Sequence, residues 1–187
     1  MNKIIIVMGT PGAGKTSILN TLTDTYKVIS MGTEVLKLAS KMGITDRDDL
    51  TERLDPNALK KIRESVLRHI NKEPGSIIID THATLKKGTM YLPGFSVTEL
   101  KALRGLKALV YIDAAADEIL IRRLKDKTRD RDVESMEEIN QHRDFNISLI
   151  AGLIATLNIP FYIIENHQAT LDLTIAQMEK IANDTFQ

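Results

Sequence analysis

The sequence predicts an α/β fold in which helices cover both faces of a parallel β-sheet. Short apolar runs without polar and apolar alternation recur along the chain, and longer segments with helical spacing separate them. Strands buried on both faces of a parallel sheet have this continuous apolar character. Strands that alternate with helices form right-handed βαβ units. Capping residues, glycines and prolines bound several of the segments and support the same division.

Four apolar runs are predicted as strands, and a shorter run is a weaker fifth candidate. Each run ends at a turn signal or at the start of a helical segment, and none shows the period of two that marks a half-exposed strand. The four runs are Lys3 to Met8, Ser76 to Asp80, Ala108 to Asp113 and Pro160 to Glu165, and the fifth candidate is Val28 to Ser30.

Helical spacing of apolar residues predicts helices between these strands. Asp55-Pro56 places a capping carboxylate ahead of a proline suited to the first helical turn, and Pro74-Gly75 closes that segment. Tyr91-Leu92-Pro93-Gly94 is predicted to be a turn. The predicted helices are Lys15 to Leu22, Thr33 to Lys41, Asn57 to Asn71, Asp117 to Lys127, Met136 to Leu157 and Leu171 to Asn183.

Length and composition predict one domain, residues 1–187, in a reducing compartment. Of the 187 residues, 43% are hydrophobic, which is enough for one buried core. The 25 basic and 25 acidic side chains cancel, so no global field attracts nucleic acid or an anionic membrane. Cysteine is absent, and Ile4 to Met8 is too short to span a bilayer. We therefore expect a cytoplasmic protein without a nucleic-acid or membrane partner.

A glycine-rich segment carries the strongest functional signal. Gly9-Thr10-Pro11-Gly12-Ala13-Gly14-Lys15-Thr16, followed by Ser17, matches the Walker A phosphate loop and lies between a predicted strand and a predicted helix. The backbone N–H groups of such a loop cradle the phosphates of ATP. Lys15 is then predicted to reach the β- and γ-phosphates, and the Thr16 hydroxyl to bind Mg²⁺.

Two aspartates are candidates for a second magnesium contact. Asp80 and Asp113 each end a predicted strand, at the edge of a parallel sheet where ligands bind. We favour Asp80, because it ends the third predicted strand in chain order, counting Val28 to Ser30, and this is the more common position of the carboxylate in compact P-loop kinases. Either aspartate could instead cap the segment that follows it.

The rest of the chain favours a small phosphotransferase over other P-loop proteins. The Asn-Lys-x-Asp motif by which GTPases read the base is absent, since Asn71-Lys72-Glu73-Pro74 does not match it. Phosphoryl transfer needs cations that hold phosphate oxygens in place. Arginines are concentrated at positions 122, 123, 129, 131 and 143, and Arg129-Asp130-Arg131-Asp132 is predicted to be a short lid over the γ-phosphate. The alternative is a salt-bridged surface loop.

Several segments together resemble the nucleoside monophosphate kinases, and in particular the archaeal type of adenylate kinase. The resemblance implies a three-layer P-loop NTPase fold with a five-stranded parallel sheet, transfer of the γ-phosphoryl group of MgATP to AMP, and a homotrimer. Besides the phosphate loop, the matching segments are Leu54-Asp55-Pro56, Asp80-Thr81-His82-Ala83-Thr84, Tyr91-Leu92-Pro93-Gly94, Asp117 to Leu124, and Thr128-Arg129-Asp130-Arg131-Asp132.

The resemblance also implies roles for individual residues. Residues 31–72 would form a small AMP-binding insert and residues 124–135 a short lid. The lid contains no cysteine, so no zinc is expected. The implied AMP contacts are Gly32, Thr33, Arg47, Arg53, Thr81 and His82, and the implied catalytic cations are Lys15, Arg123, Arg129 and Arg131.

The sequence leaves more than one acceptor open, and the role of His82 depends on which acceptor is used. His82 could bind a phosphate or nucleotide, or it could tie down its own loop. A third role, general base, applies only if the acceptor is a hydroxyl, because an AMP phosphate is already anionic. Two other functions therefore stay open: a kinase for another nucleotide or small molecule, and a nucleotide-sensing or ribosome-assembly ATPase.

Overall fold

The computed structural model describes residues 2–46, 50, 55–125 and 134–187. The strands are β1 (Lys3–Gly9), β2 (Lys27–Ser30), β3 (Ser76–Asp80), β4 (Thr84–Lys87), β5 (Met90–Pro93), β6 (Leu106–Asp113) and β7 (Phe161–Glu165). The helices are α1 (Lys15–Asn20), α2 (Met31–Ala39), α3 (Pro56–Ile70), α4 (Val97–Ala102), α5 (Ala116–Lys125), α6 (Met136–Leu157) and α7 (Leu171–Phe186), with 3-10 turns at Ser40–Met42 and Gln168–Thr170.

The main sheet has five parallel strands in the order β2-β3-β1-β6-β7. All five correspond to the predicted apolar runs, including the weaker candidate that became β2. The predicted α/β fold with a parallel sheet is therefore confirmed. Because the strands are parallel, their carboxyl ends meet at one edge, where β1 runs into the glycine-rich loop.

The core consists of two apolar layers, one on each face of the sheet. Alternate residues of β1 belong to different layers: Ile4 and Ile6 pack with residues of α2, α3 and α6, whereas Ile5 and Val7 pack with α1 and α7. Burial on both faces explains why the strand sequences are apolar throughout.

Helix boundaries follow the predictions to within a few residues. Asp55 caps α3 by accepting from the N–H groups of Asn57 and Ala58, both at 3.1 Å, and Pro56 occupies the first turn, as predicted. Ser135 and Glu138 form a capping box at the start of α6. Within the described residues, no helix is both long and apolar enough to cross a membrane.

An antiparallel hairpin of β4 and β5 and the short helix α4 were not predicted. Tyr91-Leu92-Pro93-Gly94 is not the expected turn: its first three residues belong to β5, and the turn lies at Gly88 and Thr89. Gly94 packs directly on the start of the hairpin. The approach is so close that an added Cβ on Gly94 would lie 1.7 Å from the carbonyl oxygen of His82. The hairpin therefore joins the two segments Asp80–Thr84 and Tyr91–Gly94.

Candidate phosphate-binding site

The glycine-rich loop joins β1 to α1 through two residues with left-handed backbone. Gly12 has φ +96° and Gly14 has φ +90°, values that residues with a Cβ rarely adopt. Space is also restricted, since a Cβ on Gly14 would lie 2.3 Å from Nδ2 of Asn166. The glycines of the motif are thus required by the shape of the loop.

Donors from two distant segments hold the outward-facing carbonyl groups of the loop. The carbonyl oxygen of Pro11 accepts from Nε of Arg123 at 2.8 Å. The carbonyl oxygen of Ala13 accepts from Nδ2 of Asn166 at 2.7 Å and from Nη1 of Arg122 at 3.3 Å. Carbonyl oxygens directed at a phosphate would repel it. Because the carbonyl oxygens of Pro11 and Ala13 are bound to these donors instead, the loop can offer N–H groups to an anion.

Lys15, Thr16 and Ser17 begin α1 beside this loop. Lys15 is largely buried, and its Nζ donates to the carbonyl oxygen of Gly9 at 3.2 Å, so the ammonium group lies over the loop. The side chains of Thr16 and Ser17 are exposed on the same first turn. The structure thus places all the residues of the predicted ATP cradle in one continuous segment at the sheet edge.

A buried chain of hydrogen bonds runs beneath the loop. Nε2 of His142 lies 2.8 Å from Oγ1 of Thr84, which donates to Oδ1 of Asn146 at 2.6 Å. Nδ2 of Asn146 donates to the Tyr111 hydroxyl at 3.3 Å, and this hydroxyl lies 2.7 Å from Oγ1 of Thr10. Because the Thr84 hydrogen is given to Asn146, His142 must donate through Nε2.

The chain joins β4, α6 and β6 to the phosphate loop, and burial affects the groups that titrate in it. Desolvation raises the pKa of Tyr111. Desolvation lowers the pKa of His142, assisted by the nearby cations Arg123 and Lys86 and opposed by Glu134. Both side chains are therefore neutral near pH 7, as a buried hydrogen-bonded chain requires.

The two candidate aspartates lie on opposite faces of the sheet. Asp80 shares a face with Ile78, which belongs to the apolar layer containing Ile18 of α1. Asp113 shares a face with Tyr111, in the layer that contains α6. Asp80 therefore lies on the side of the helix that carries Thr16, which supports it as the magnesium contact.

Asp113 is engaged in an ion pair. Nε of Arg143 lies 2.6 Å and 2.7 Å from its two carboxylate oxygens, and the N–H group of Ala114 donates to Oδ1 at 2.9 Å. This pairing raises the pKa of Arg143. Arg143 thus anchors α6 to the end of β6, and Asp113 serves that contact.

The predicted acceptor-side residues fall on two neighbouring segments. Gly32 and Thr33 lie in the first turn of α2, directly after β2. Thr81 and His82 follow β3, and the N–H group of Thr81 donates to the carbonyl oxygen of Val7 at 3.1 Å. Because β2, β3 and β1 are adjacent, these segments lie side by side at the edge that carries the loop. Arg47 and Arg53 lie outside the described residues.

The predicted catalytic arginines are only partly described. Arg123 packs on Pro11, whereas Arg129 and Arg131, with most of the predicted lid, lie outside the described residues. Nη1 of Arg123 also donates to Oε2 of Glu134, in a close ion pair. Arg122 pairs with Glu118 at 3.1 Å, one turn earlier in α5.

A small cavity of about 230 Å³ opens beside the phosphate loop. Gly14 and Ser17 line one side of it, Arg122 and Lys125 of α5 another, and Asn166 and Leu171 a third. Within the described ranges, no group of three or more histidine, aspartate or glutamate side chains forms a metal cluster. The oxygen donors of Thr16 and Asp80 suit Mg²⁺, which keeps several waters and binds substrate phosphates.

Sequence reasoning missed several residues that shape the site. Asn166 directly follows β7, so the rule that singled out Asp80 and Asp113 at strand ends would have found it. Glu134 lies within the predicted short lid, residues 124–135, but has no feature in the sequence that singles it out. Tyr111, Asn146 and His142 gave no local signal, because their partners are distant in the chain.

The fold and the loop together define a P-loop kinase, and comparisons with known proteins identify its family. An AAA domain model matches residues 8–140. The adenylate kinase of Methanothermobacter thermautotrophicus is 33% identical over 183 residues, covering 96% of this chain and 98% of the relative. That of Methanocaldococcus jannaschii is 31% identical over 189 residues, with 96% and 98% coverage.

Among solved structures, shikimate kinase from Bacteroides thetaiotaomicron superposes with a TM-score of 0.59 and 15% identity, covering 97% of this chain and 98% of that one. At this identity the likeness concerns the fold alone. The chain belongs to the adenylate kinase family, within the wider group that the AAA domain model describes. The resemblance to archaeal adenylate kinases is therefore confirmed.

Proposed function

We propose that this chain transfers the γ-phosphoryl group of ATP to AMP, reversibly and with Mg²⁺, giving two ADP. The near full-length likeness to archaeal adenylate kinases carries the proposal, since it extends over 98% of the Methanothermobacter protein. The phosphate loop and its two supporting arginines agree with it. The chain would act as one P-loop kinase domain with inserts at residues 31–72 and 124–135.

The loop and its neighbours would hold the donor nucleotide. Backbone N–H groups within residues 9–17, of which Pro11 has none, would bind the β-phosphate, and Lys15 would neutralise the charge between the β- and γ-phosphates. Arg123, held on Pro11, would contact the transferring group. The cavity beside Gly14 would receive the base, with the planar guanidinium of Arg122 on one side. Arg129 and Arg131 remain predictions from the sequence.

Thr16 and Asp80 would hold Mg²⁺, one from α1 and one from the end of β3. When bound, this ion neutralises charge on the phosphate oxygens. AMP would lie beside α2 and the segment after β3, with Gly32, Thr33, Thr81 and His82 near it. Arg47 and Arg53 remain predictions for its phosphate. No side chain need remove a proton, because the attacking phosphate oxygen is already anionic.

The oligomeric state and the location are proposed on narrower grounds. We expect a homotrimer, supported by the resemblance to archaeal adenylate kinases, and light scattering after size-exclusion chromatography would measure it. A cytoplasmic location is supported by the absence of cysteine from all 187 residues.

A coupled assay of ADP formation tests the proposed function. The protein is supplied with MgATP alone, and then with AMP, another nucleoside monophosphate, or shikimate as acceptor. Rapid ADP formation that requires AMP is the expected result. Faster transfer to another acceptor would indicate a different kinase, and release of inorganic phosphate without an acceptor would indicate an ATPase.

A further inference from the structure

A single carboxylate, Glu134, joins two cations from different parts of the chain. Its Oε1 accepts from Nζ of Lys86 in β4 at 2.9 Å, and its Oε2 accepts from Nη1 of Arg123 in a close contact. Arg123 in turn donates from Nε to the carbonyl oxygen of Pro11 at 2.8 Å. Glu134 therefore links the hairpin, the end of α5 and the phosphate loop.

The three side chains are shielded from solvent and remain charged. They are 9% (Arg123), 15% (Glu134) and 16% (Lys86) exposed, so their mutual attraction is screened less than that of a surface pair. Burial favours a raised pKa for Glu134, but the hydrogen bonds from Lys86 and Arg123 outweigh it and lower the pKa. The hydrogen bond to Glu134 raises the pKa of Lys86.

The contacts of Arg123 fix its orientation as well as its position. Nε is held by the carbonyl of Pro11 and Nη1 by the carboxylate of Glu134, so two directions define the guanidinium plane. A guanidinium has five N–H donors, and these contacts do not use all of them. An arginine held in this way is oriented before a phosphoryl group arrives, which reduces the cost of reaching the transition state.

Lys86 offsets the negative charge that Glu134 places beside Arg123. A carboxylate alone on Arg123 would cancel its charge and compete with phosphate oxygens. Lys86 restores a net positive charge to the three groups. It also reaches Oε1 of Glu138 at 3.3 Å, but that carboxylate is 48% exposed and is therefore better screened by solvent.

We propose that Glu134 is a positioning residue for phosphoryl transfer, which orients Arg123 on the phosphate loop while Lys86 balances its charge. The proposal rests on the proposed function, because it assumes that Arg123 contacts the transferring phosphoryl group. It adds two residues that the family resemblance did not supply.

Steady-state kinetics of Glu134→Gln test the proposal, with Glu137→Gln as the matched control, an exposed glutamate three residues further along the chain in the first turn of α6. Glutamine can still accept from Arg123, but it presents an amide to Lys86 and removes the charge. We expect kcat to fall by about tenfold or more with KM for AMP nearly unchanged, since a small misplacement of a transition-state contact acts on turnover. Glu134→Asp should recover part of the loss, and the control should match wild type.

A double-mutant cycle separates positioning from a purely structural role. Lys86→Met alone leaves the negative charge of Glu134 to cancel that of Arg123, so kcat should fall. Combining Lys86→Met with Glu134→Gln removes both charges together. The double variant should therefore turn over faster than the product of the two single losses predicts. Additive losses in kcat would overturn the proposal. So would a fall in melting temperature with unchanged kcat in Glu134→Gln. If wild type itself lacks AMP-dependent ADP formation, the proposed function fails instead.

Discussion

The phenolic oxygen of Tyr111 lies 2.7 Å from Oγ1 of Thr10, which links a strand in the sheet interior to the phosphate loop. Both residues are almost completely buried, at 0% and 1% exposed. Asn146 and Thr84 extend this contact to His142, so the loop rests on a hydrogen-bonded chain. The Thr10 side chain therefore supports the loop from below, and its carbonyl oxygen accepts from the N–H group of Ala13 at 3.0 Å within the loop.

Removing the Tyr111 hydroxyl should destabilise the protein. Tyr111→Phe leaves Nδ2 of Asn146 and Oγ1 of Thr10 without this buried partner, and a buried unsatisfied group costs about 1–3 kcal/mol of unfolding free energy. Urea unfolding monitored by circular dichroism measures the loss. Tyr162→Phe on β7 is the control, because its hydroxyl is not part of this chain. Equal losses in the two variants would contradict the structural role of the contact.

His142 should make stability depend on pH below neutrality. Its pKa is lowered in the folded protein, so the unfolded chain binds a proton that the folded chain does not. Unfolding free energy should therefore be unaffected above about pH 7 and fall as pH drops below the ordinary histidine pKa of about 6.5. It should level off below the lowered pKa.

The comparison variant is His142→Gln, which keeps a donor for Thr84 but does not titrate. The difference in unfolding free energy between wild type and this variant is measured by urea titration from pH 7.5 to about pH 5. We expect the variant to lose less stability over this interval. Parallel pH profiles would show that His142 does not carry the effect.

Two glycine substitutions should change different properties, one MgATP binding and the other stability. Gly14→Ala forces a Cβ into a left-handed backbone and to within 2.3 Å of Nδ2 of Asn166, so it should distort the loop and abolish measurable MgATP binding. Gly152→Ala lies in the middle of α6, where the added Cβ would have no atom within 4 Å apart from its chain neighbours and the nearby backbone of its own helix, so it should stabilise the protein by up to about 1 kcal/mol. Calorimetric titration with MgATP and thermal unfolding measure the two effects. Tight MgATP binding by Gly14→Ala would rule out the described loop geometry.

Substituting the two strand-end aspartates should affect different properties: Asp80→Asn the dependence on Mg²⁺, and Asp113→Asn the stability. Asp80→Asn should raise the Mg²⁺ concentration needed for half-maximal activity by about tenfold or more, because it removes a proposed metal contact. Asp113→Asn should leave this concentration unchanged. It should cost about 2 kcal/mol of unfolding free energy, less than a fully buried pair, because Arg143 is 31% exposed. A reversed pattern would assign the metal to Asp113.

The main sheet could be predicted because its strands are buried on both faces. Runs such as Ile77-Ile78-Ile79 are short, β-branched and apolar throughout, which favours a core strand, and their alternation with helical segments along the chain indicates the fold class. The hairpin of β4 and β5 lacks this signal, since Thr84–Lys87 is partly polar and Met90–Pro93 ends in proline. Helix α4 does carry a sequence signal, the capping box of Ser96 and Glu99, but at six residues it is too short to show helical spacing of apolar residues.

The phosphate loop could likewise be predicted, because its chemistry is local: glycines, Lys15 and Thr16 lie within eight residues. The residues that support the loop could not be predicted from the sequence. Tyr111 is 101 residues from Thr10, and Asn166 is 153 residues from Ala13. Such pairs depend on which strand ends and helix faces the fold brings together, and a spacing rule does not contain that information.

The stoichiometry of the reaction tests the central claim most directly. Wild-type protein and Lys15→Met are incubated with MgATP and AMP, and all nucleotides and inorganic phosphate are quantified over time by chromatography. Wild type should consume ATP and AMP in equal amounts, form two ADP for each pair and release no inorganic phosphate. Lys15→Met should lack this activity. ATP consumption by wild type that leaves AMP unchanged and releases inorganic phosphate would contradict the account.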